Sequence, residues 1–254
     1  LTGGQDHKFY KVLKNILARI FALWAAIVFV ATMIPALLLV IFFRIFKEPK
    51  RSKLFHRMSK RWMQVFFFFT GCRLRVKGKD NFIKDKQYIV ISNHNSYMDV
   101  PVTTPFIPGA NKTIAKIEMA RIPLFGLIYK TGSVLVDRKD KNSRQKSFTE
   151  MKEVLKLGLH VCIYPEGTRN KTGKPLGDFH DGAFKLAIET KTDIIPTLIF
   201  NTRKILPGNK IFFFWPSKME LHFLPAVPVK DEEDYEILKE KLYTLMSRYY
   251  VEHR

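Results

Sequence analysis

The sequence predicts an α/β domain with a mostly parallel sheet flanked by helices, preceded by an N-terminal apolar helix. Three observations carry that prediction. From Ile20 to Phe43 the chain runs 24 residues without a charge. From about Cys72 onward, short β-like runs alternate with helical ones, the pattern of a layered α/β domain. No internal repeat, low-complexity tract or long linker breaks that alternation.

Taken in order, the Ile20–Phe43 run spans about 36 Å as a helix at roughly 1.5 Å per residue, enough to cross a ~30 Å hydrocarbon core. It is too long for a cleaved signal peptide, and a helix apolar all round needs lipid or a large protein to cover it. Residues 1–70 are therefore expected to form a helical membrane anchor and residues 71–254 the α/β domain. Basic residues flank the run on both sides: Lys8, Lys11, Lys14 and Arg19 before it, then Arg44, Lys47, Lys50, Arg51, Lys53, Arg57, Lys60 and Arg61. The heavier downstream count places the body on the cytosolic face. Spanning and re-entrant arrangements both stay open, the second with Pro35 marking a bend. The patch Trp62–Phe69 is too short to span and is expected in the interface or against the body.

In the body, strands are expected at 73–77, 87–91, 112–115, 133–136, 161–164, 194–200 and 219–223. Helices are expected at 122–130, 143–157, 182–190 and 232–250. The last opens on Asp231 as cap, with Glu232, Glu233 and Asp234 in its first turn.

Composition narrows the function classes. Hydrophobic residues make up 46% of the 254, which rules out a disordered chain. The 43 Lys and Arg against 23 Asp and Glu leave +20, a charge that calls for anionic partners. Nucleic acid is the poorer candidate, because many of the aromatics lie in the apolar N-terminal third instead of interleaving with a basic stripe. An anionic membrane and a phosphate-bearing substrate fit better. Cys72 and Cys162 form neither a metal-ligand spacing nor a disulfide framework, and reduced, buried thiols are expected.

The predicted strand 87–91 runs directly into Ser92-Asn93-His94-Asn95-Ser96-Tyr97-Met98-Asp99. That is the carboxyl end of a strand, where open α/β sheets hold their ligands. Residues five apart on a regular helix are turned by roughly 140°, so the segment must turn for Asp99 to reach His94. A carboxylate on one ring nitrogen fixes the tautomer and leaves the other nitrogen as a general base. A strand-end histidine and a helix-capping aspartate explain the same letters more blandly. Thr131 to Arg138 is a glycine-led strand closing on Asp137-Arg138. Val161 to Tyr164 is followed by Pro165-Glu166-Gly167-Thr168-Arg169. There Gly167 suits a left-handed turn, Arg169 can grip a phosphate with its planar fork, and Glu166 either orients Arg169 or accepts a backbone donor. Lys116 closes another strand-like run and offers a further positive charge.

In this order the segments resemble the glycerolipid acyltransferase family. Asn93 to Asp99 looks like its N-H-x-S-x-x-D block, Gly132 to Arg138 its second, Tyr164 to Arg169 its F-P-E-G-T-R block, and Ile195-Pro196 its fourth. The resemblance covers roughly 73–200, and four blocks in register are far more specific than one. Tyr164 replaces the usual Phe, and Val134 and Val136 stand where bulkier residues are common. The resemblance implies a glycerol-3-phosphate acyltransferase-like fold, with His94 as base and Asp99 as its partner. It places Arg169, Lys116, Glu166, Gly167, Thr168 and Arg138 about the acceptor phosphate. It implies acyl-CoA or acyl carrier protein as donor, a lysolipid acceptor, no metal and no redox cofactor. An acyltransferase for another lysolipid, such as a lyso-aminolipid, and a non-catalytic membrane-binding protein of the same fold are the competing readings.

Overall fold

Strand residues in this chain alternate between two buried faces, and that alternation builds the layers. In the computed structural model, which describes residues 3–229 and 234–254, seven strands form one sheet. They are β1 (Arg73–Lys77), β2 (Ile89–Ser92), β3 (Asn111–Lys116), β4 (Ser133–Val136), β5 (His160–Ile163), β6 (Ile194–Phe200) and β7 (Lys218–Phe223). The order is β1-β7-β6-β2-β5-β3-β4, parallel throughout except between β6 and β7. Val90, Cys162, Ile195 and Ile199 point to one core, whereas Ile89, Ile91, Val161, Ile163, Ile194 and Leu198 point to the other. All seven residues of β6 are buried, so the strand fills the core. Both cysteines are free and buried.

Helices cover both faces. Over the second core lie α5 (Lys141–Lys156), α6 (Gly182–Thr190) and α8 (Tyr235–His253). Asp140 caps α5 by accepting from the Asn142 and Ser143 amides, and Asp234 caps α8 by accepting from the Glu236 amide. The expected cap Asp231, with Glu232 and Glu233, lies outside the described residues. Over the first core lie α1 (Gly3–Phe43), α2 (Lys50–Phe69) and α4 (Phe125–Gly132). Two short helices, α3 (Asp99–Thr103) and α7 (Thr202–Ile205), complete the order.

The N-terminal segment corrects one expectation. Pro35 does not mark a bend, because α1 continues through it to Phe43. Proline removes one intrahelical hydrogen bond, and packing of Met33, Ala36 and Val40 against the core holds the helix on either side. The chain instead reverses over 44–49 and returns as α2, making a helical hairpin.

Small residues decide how α1 sits. Ala18, Ala22, Ala25, Val28, Met33, Ala36, Val40 and Phe43 form its buried stripe. Ile16, Ile20, Leu23, Ile27, Val30, Ile34, Leu38 and Ile41 form an exposed one at the same helical spacing. Both ends of the apolar segment touch the body. Near its start, the Phe214 amide donates to the Ala18 carbonyl at 3.1 Å. Beyond its end, Glu48 in the hairpin turn pairs with Lys112 of β3 at 3.0 Å. The segment Phe9–Phe43 is long and apolar enough to cross a membrane, by length and composition.

Candidate active site

Four adjacent strands deliver the predicted residues to one edge of the sheet. β2, β5, β3 and β4 are successive neighbours, and their carboxyl ends lead to His94, Glu166, Lys116 and Arg138 respectively. Parallel strands share direction, so residues just past their ends gather on one rim.

After β2 the chain turns before α3 begins, as the five-residue spacing requires. Asp99 opens α3 with its amide donating to the Ser96 carbonyl at 3.2 Å. Its carboxylate is completely buried, and Oδ2 lies 2.9 Å from His94 Nδ1. Oδ2 also accepts from the Asn95 amide and, at 2.7 Å, from the Ser96 amide. Oδ1 accepts from the Thr202 hydroxyl at 2.6 Å. Both oxygens of this carboxylate are therefore satisfied within the fold, by the imidazole, two backbone amides and a hydroxyl. The His94 side chain keeps 19% of its surface exposed, and its ring lies 4.6 Å from that of Tyr164. Nε2 is left without a hydrogen-bond partner among the described residues, on a side chain that is partly open.

The backbone of His94 is fixed as firmly as its ring. The His94 amide donates to Glu166 Oε1 and the Gly177 amide to Oε2, each at 2.7 Å. Burial pushes the Glu166 carboxyl up, and these two amides partly offset the rise. The Asn170 amide donates to the His94 carbonyl at 2.7 Å. Asn93 latches β2 to β6, donating to the Ile199 carbonyl at 3.1 Å and accepting from its amide at 2.7 Å. Glu166 thus accepts backbone donors, one of its two expected roles. The Glu166 side chain is buried, and both of its oxygens are engaged by backbone amides.

Arg169 is placed differently. Its guanidinium carbon lies 3.5 Å from the centroid of the Tyr97 ring, a stacking contact. Its Nη1 is buried with no hydrogen-bond partner among the described residues. A buried cationic donor without a partner carries a desolvation cost that a hydrogen-bond acceptor would relieve. Gly167 has φ +66°, and a Cβ there would come within 2.7 Å of the His180 ring and 3.5 Å of Arg138 Nη1. The tight turn that presents Arg169 thus brings Arg138 close as well. Thr168 is exposed on that turn. Lys116 is exposed at the end of β3, with no hydrogen-bond or ion-pair partner among the described residues.

Sequence reasoning missed Thr202, Gly177 and Tyr97 as functional neighbours. Thr202 follows β6, and nothing in the local letters says that β6 lies beside β2.

Residues 73–200 match the sequence model of the family described as Acyltransferase. Over 162 residues the chain is 32% identical to a chloroplastic 1-acyl-sn-glycerol-3-phosphate acyltransferase of Arabidopsis thaliana, covering 63% of this chain and 45% of that protein. Over 195 residues it is 28% identical to the 1-acyl-sn-glycerol-3-phosphate acyltransferase of Borreliella burgdorferi, covering 74% of each. The chain spans about half the length of the chloroplastic relatives it matches. Its fold is that of the crystal structure of the 1-acyl-sn-glycerophosphate (LPA) acyltransferase PlsC from Thermotoga maritima. The TM-score is 0.79 at 23% identity, covering 94% of this chain and 98% of that one.

Proposed function

The chain belongs to the acyltransferase family, and from that premise we propose that it acylates the free sn-2 hydroxyl of 1-acyl-glycerol-3-phosphate to give phosphatidic acid. The observation that carries this reading is the His94 ring, clamped at Nδ1 by a buried carboxylate and open at Nε2. In the proposed step, the acceptor hydroxyl gives its proton to Nε2 while its oxygen attacks the thioester carbonyl of an acyl donor. The Asp99 carboxylate stabilises the imidazolium that forms. The tetrahedral intermediate collapses, its C–S bond breaks, and the thiolate of coenzyme A or acyl carrier protein leaves, taking the proton from Nε2.

Transfer is direct, without an acyl-enzyme. Burial pushes the Cys162 thiol up to about 12, far from a useful thiolate. Ser96, beside His94 in sequence, spends its hydroxyl on the Leu206 carbonyl and on the Met98 amide. No step calls for a metal or redox cofactor.

Arg169 holds the acceptor phosphate, supported by Arg138 and Lys116 from neighbouring strand ends; the relatives are named for an acceptor that carries one. Because both ends of the apolar segment touch the body, α1 lies in one leaflet with its outward stripe in lipid instead of carrying the body across. The basic excess downstream of α1 supports a body on the cytosolic side, where anionic lipid would attract it, and basic surface of this kind suits an acidic acyl carrier protein.

The test is Arg169→Ala. Loss of a charge-assisted contact predicts an apparent KM for 1-acyl-glycerol-3-phosphate raised on the order of 10- to 100-fold. The KM of a monoacylglycerol acceptor stays unchanged. Equal loss for both acceptors would remove the phosphate role. Running each acceptor with acyl-CoA and with acyl carrier protein identifies the donor.

A further inference from the structure

The hairpin contains a groove that shares no residue with the site around His94. It runs between α1 and α2, with a volume of about 790 Å³, within the range of ligand-binding clefts. Its two walls differ in chemistry. The α1 wall contributes Ala31, Pro35 and Leu39, all exposed and apolar, at helical spacing. From Ala31 to Phe43 that wall is about 18 Å long at roughly 1.5 Å per residue. The α2 wall contributes Arg57, Lys60 and Arg61, also on one helical face and exposed. None of these three cations has an ion-pair partner among the described residues, and no acidic residue lines the groove. Glu48, the acid of the hairpin turn, is already engaged by Arg51 and Lys112. In the groove, Trp62 Nε1 donates to Thr32 Oγ1 at 2.9 Å, so the indole polar atom is satisfied without a ligand. The α1 wall of the groove adjoins the exposed apolar stripe of the same helix, including Leu38 and Ile41.

A cationic wall facing an apolar wall, at the edge of a surface made for lipid, is complementary to one kind of molecule. We propose that the α1–α2 groove binds a single anionic glycerophospholipid of the membrane, distinct from the substrate. Its acyl chain lies along Ala31, Pro35 and Leu39, and its phosphate sits on Arg57, Lys60 and Arg61. Three cations on one helical face bind one phosphodiester, while the long apolar wall excludes water from the tail. The bound lipid fastens the hairpin to the bilayer at a fixed depth. This proposal rests on the hairpin alone and stands or falls separately from the acyl-transfer chemistry.

The test uses the full chain purified in a non-ionic detergent, with phosphatidylglycerol added and native mass spectrometry counting what stays bound. One phosphatidylglycerol per chain is expected, with phosphatidylcholine not retained. The triple variant Arg57→Gln/Lys60→Gln/Arg61→Gln is expected to weaken retention on the order of 100-fold, three cations each worth about five-fold near a membrane surface. Ala31→Trp, which fills the apolar wall at an exposed position, is expected to abolish retention with all three charges kept. A control triple on α5, Lys141→Gln/Arg144→Gln/Lys146→Gln, is expected to bind as wild type, with all thermal midpoints alike. Equal loss in the control triple overturns the proposal in favour of diffuse attraction. Displacement by millimolar inorganic phosphate overturns it in favour of a headgroup site without a tail. A lipid-free dimer broken by Ala31→Trp overturns it in favour of a second copy as occupant. Turnover of detergent-dispersed substrate should stay within two-fold in both groove variants; its collapse would mean that the groove serves the substrate.

Discussion

Replacing Asp99 by Asn separates the charge of the catalytic pair from its geometry. Oδ2 accepts three hydrogen bonds, from His94 and from the Asn95 and Ser96 amides, whereas Oδ1 accepts one from Thr202. An asparagine oxygen in the Oδ2 position keeps the first three. Its NH₂ in the Oδ1 position donates to the Thr202 hydroxyl, which turns to accept it. The hydrogen-bond count survives, and only the negative charge is lost. That charge stabilises the imidazolium that forms as the acceptor hydroxyl is deprotonated. With charge centres about 4–5 Å apart and an effective dielectric of about 20, the lost attraction is about 3–4 kcal/mol. At 1.36 kcal/mol per decade this is a fall of several hundred- to a thousand-fold in kcat/KM. The assay is acyl transfer to 1-acyl-glycerol-3-phosphate, paired with thermal melting. Asp99→Asn should melt close to wild type, whereas Asp99→Ala strands several buried donors and should lose several kcal/mol of stability. An Asn variant within ten-fold of wild-type activity would refute the electrostatic role of Asp99.

Three further outcomes follow from the same geometry. Burial works against the charge of Glu48, but the Ser52 amide, Lys112 and Arg51 outweigh it and hold its carboxyl at about 2 instead of 4.5. A depressed carboxyl stabilises the fold above its unfolded value and loses that contribution as pH falls. Wild type should therefore lose up to about 3 kcal/mol between pH 4.5 and 2 that Glu48→Gln never has, read from denaturation midpoints across that range. Gly167→Ala forces a left-handed alanine, costing roughly 1–2 kcal/mol, and drives its Cβ into His180; the melting midpoint should fall and the acceptor KM rise as the Arg169 turn shifts. Thr202→Val removes one donor to Asp99 and should lower kcat by roughly ten-fold with little change in KM, consistent with one charge-assisted hydrogen bond.

Much of this architecture is legible in the letters, for reasons that can be named. β1, β4, β6 and α6 fall where hydrophobic runs and turn residues place them, because each is bounded by residues that stop it locally. The His94–Asp99 pairing is legible because both partners lie in one short segment whose spacing demands a turn. Glu166 is only half legible: its burial against two amides depends on Gly177, eleven residues on, folding back over it. Thr202 is not legible, since its contact with Asp99 spans 103 residues and exists only because β6 pairs with β2. Pro35 misleads for a related reason. Local preference says bend, but the packed alanine stripe of α1 outweighs the loss of a single hydrogen bond.

Single-turnover acyl transfer by purified His94→Ala, with 1-acyl-glycerol-3-phosphate and a thioester donor, tests the account most directly. Loss of the base predicts a rate at least about 10²-fold below wild type, with the melting midpoint and membrane attachment unchanged. A folded, membrane-bound His94→Ala protein that turns over within a few-fold of wild type would contradict the assignment of His94 as the base.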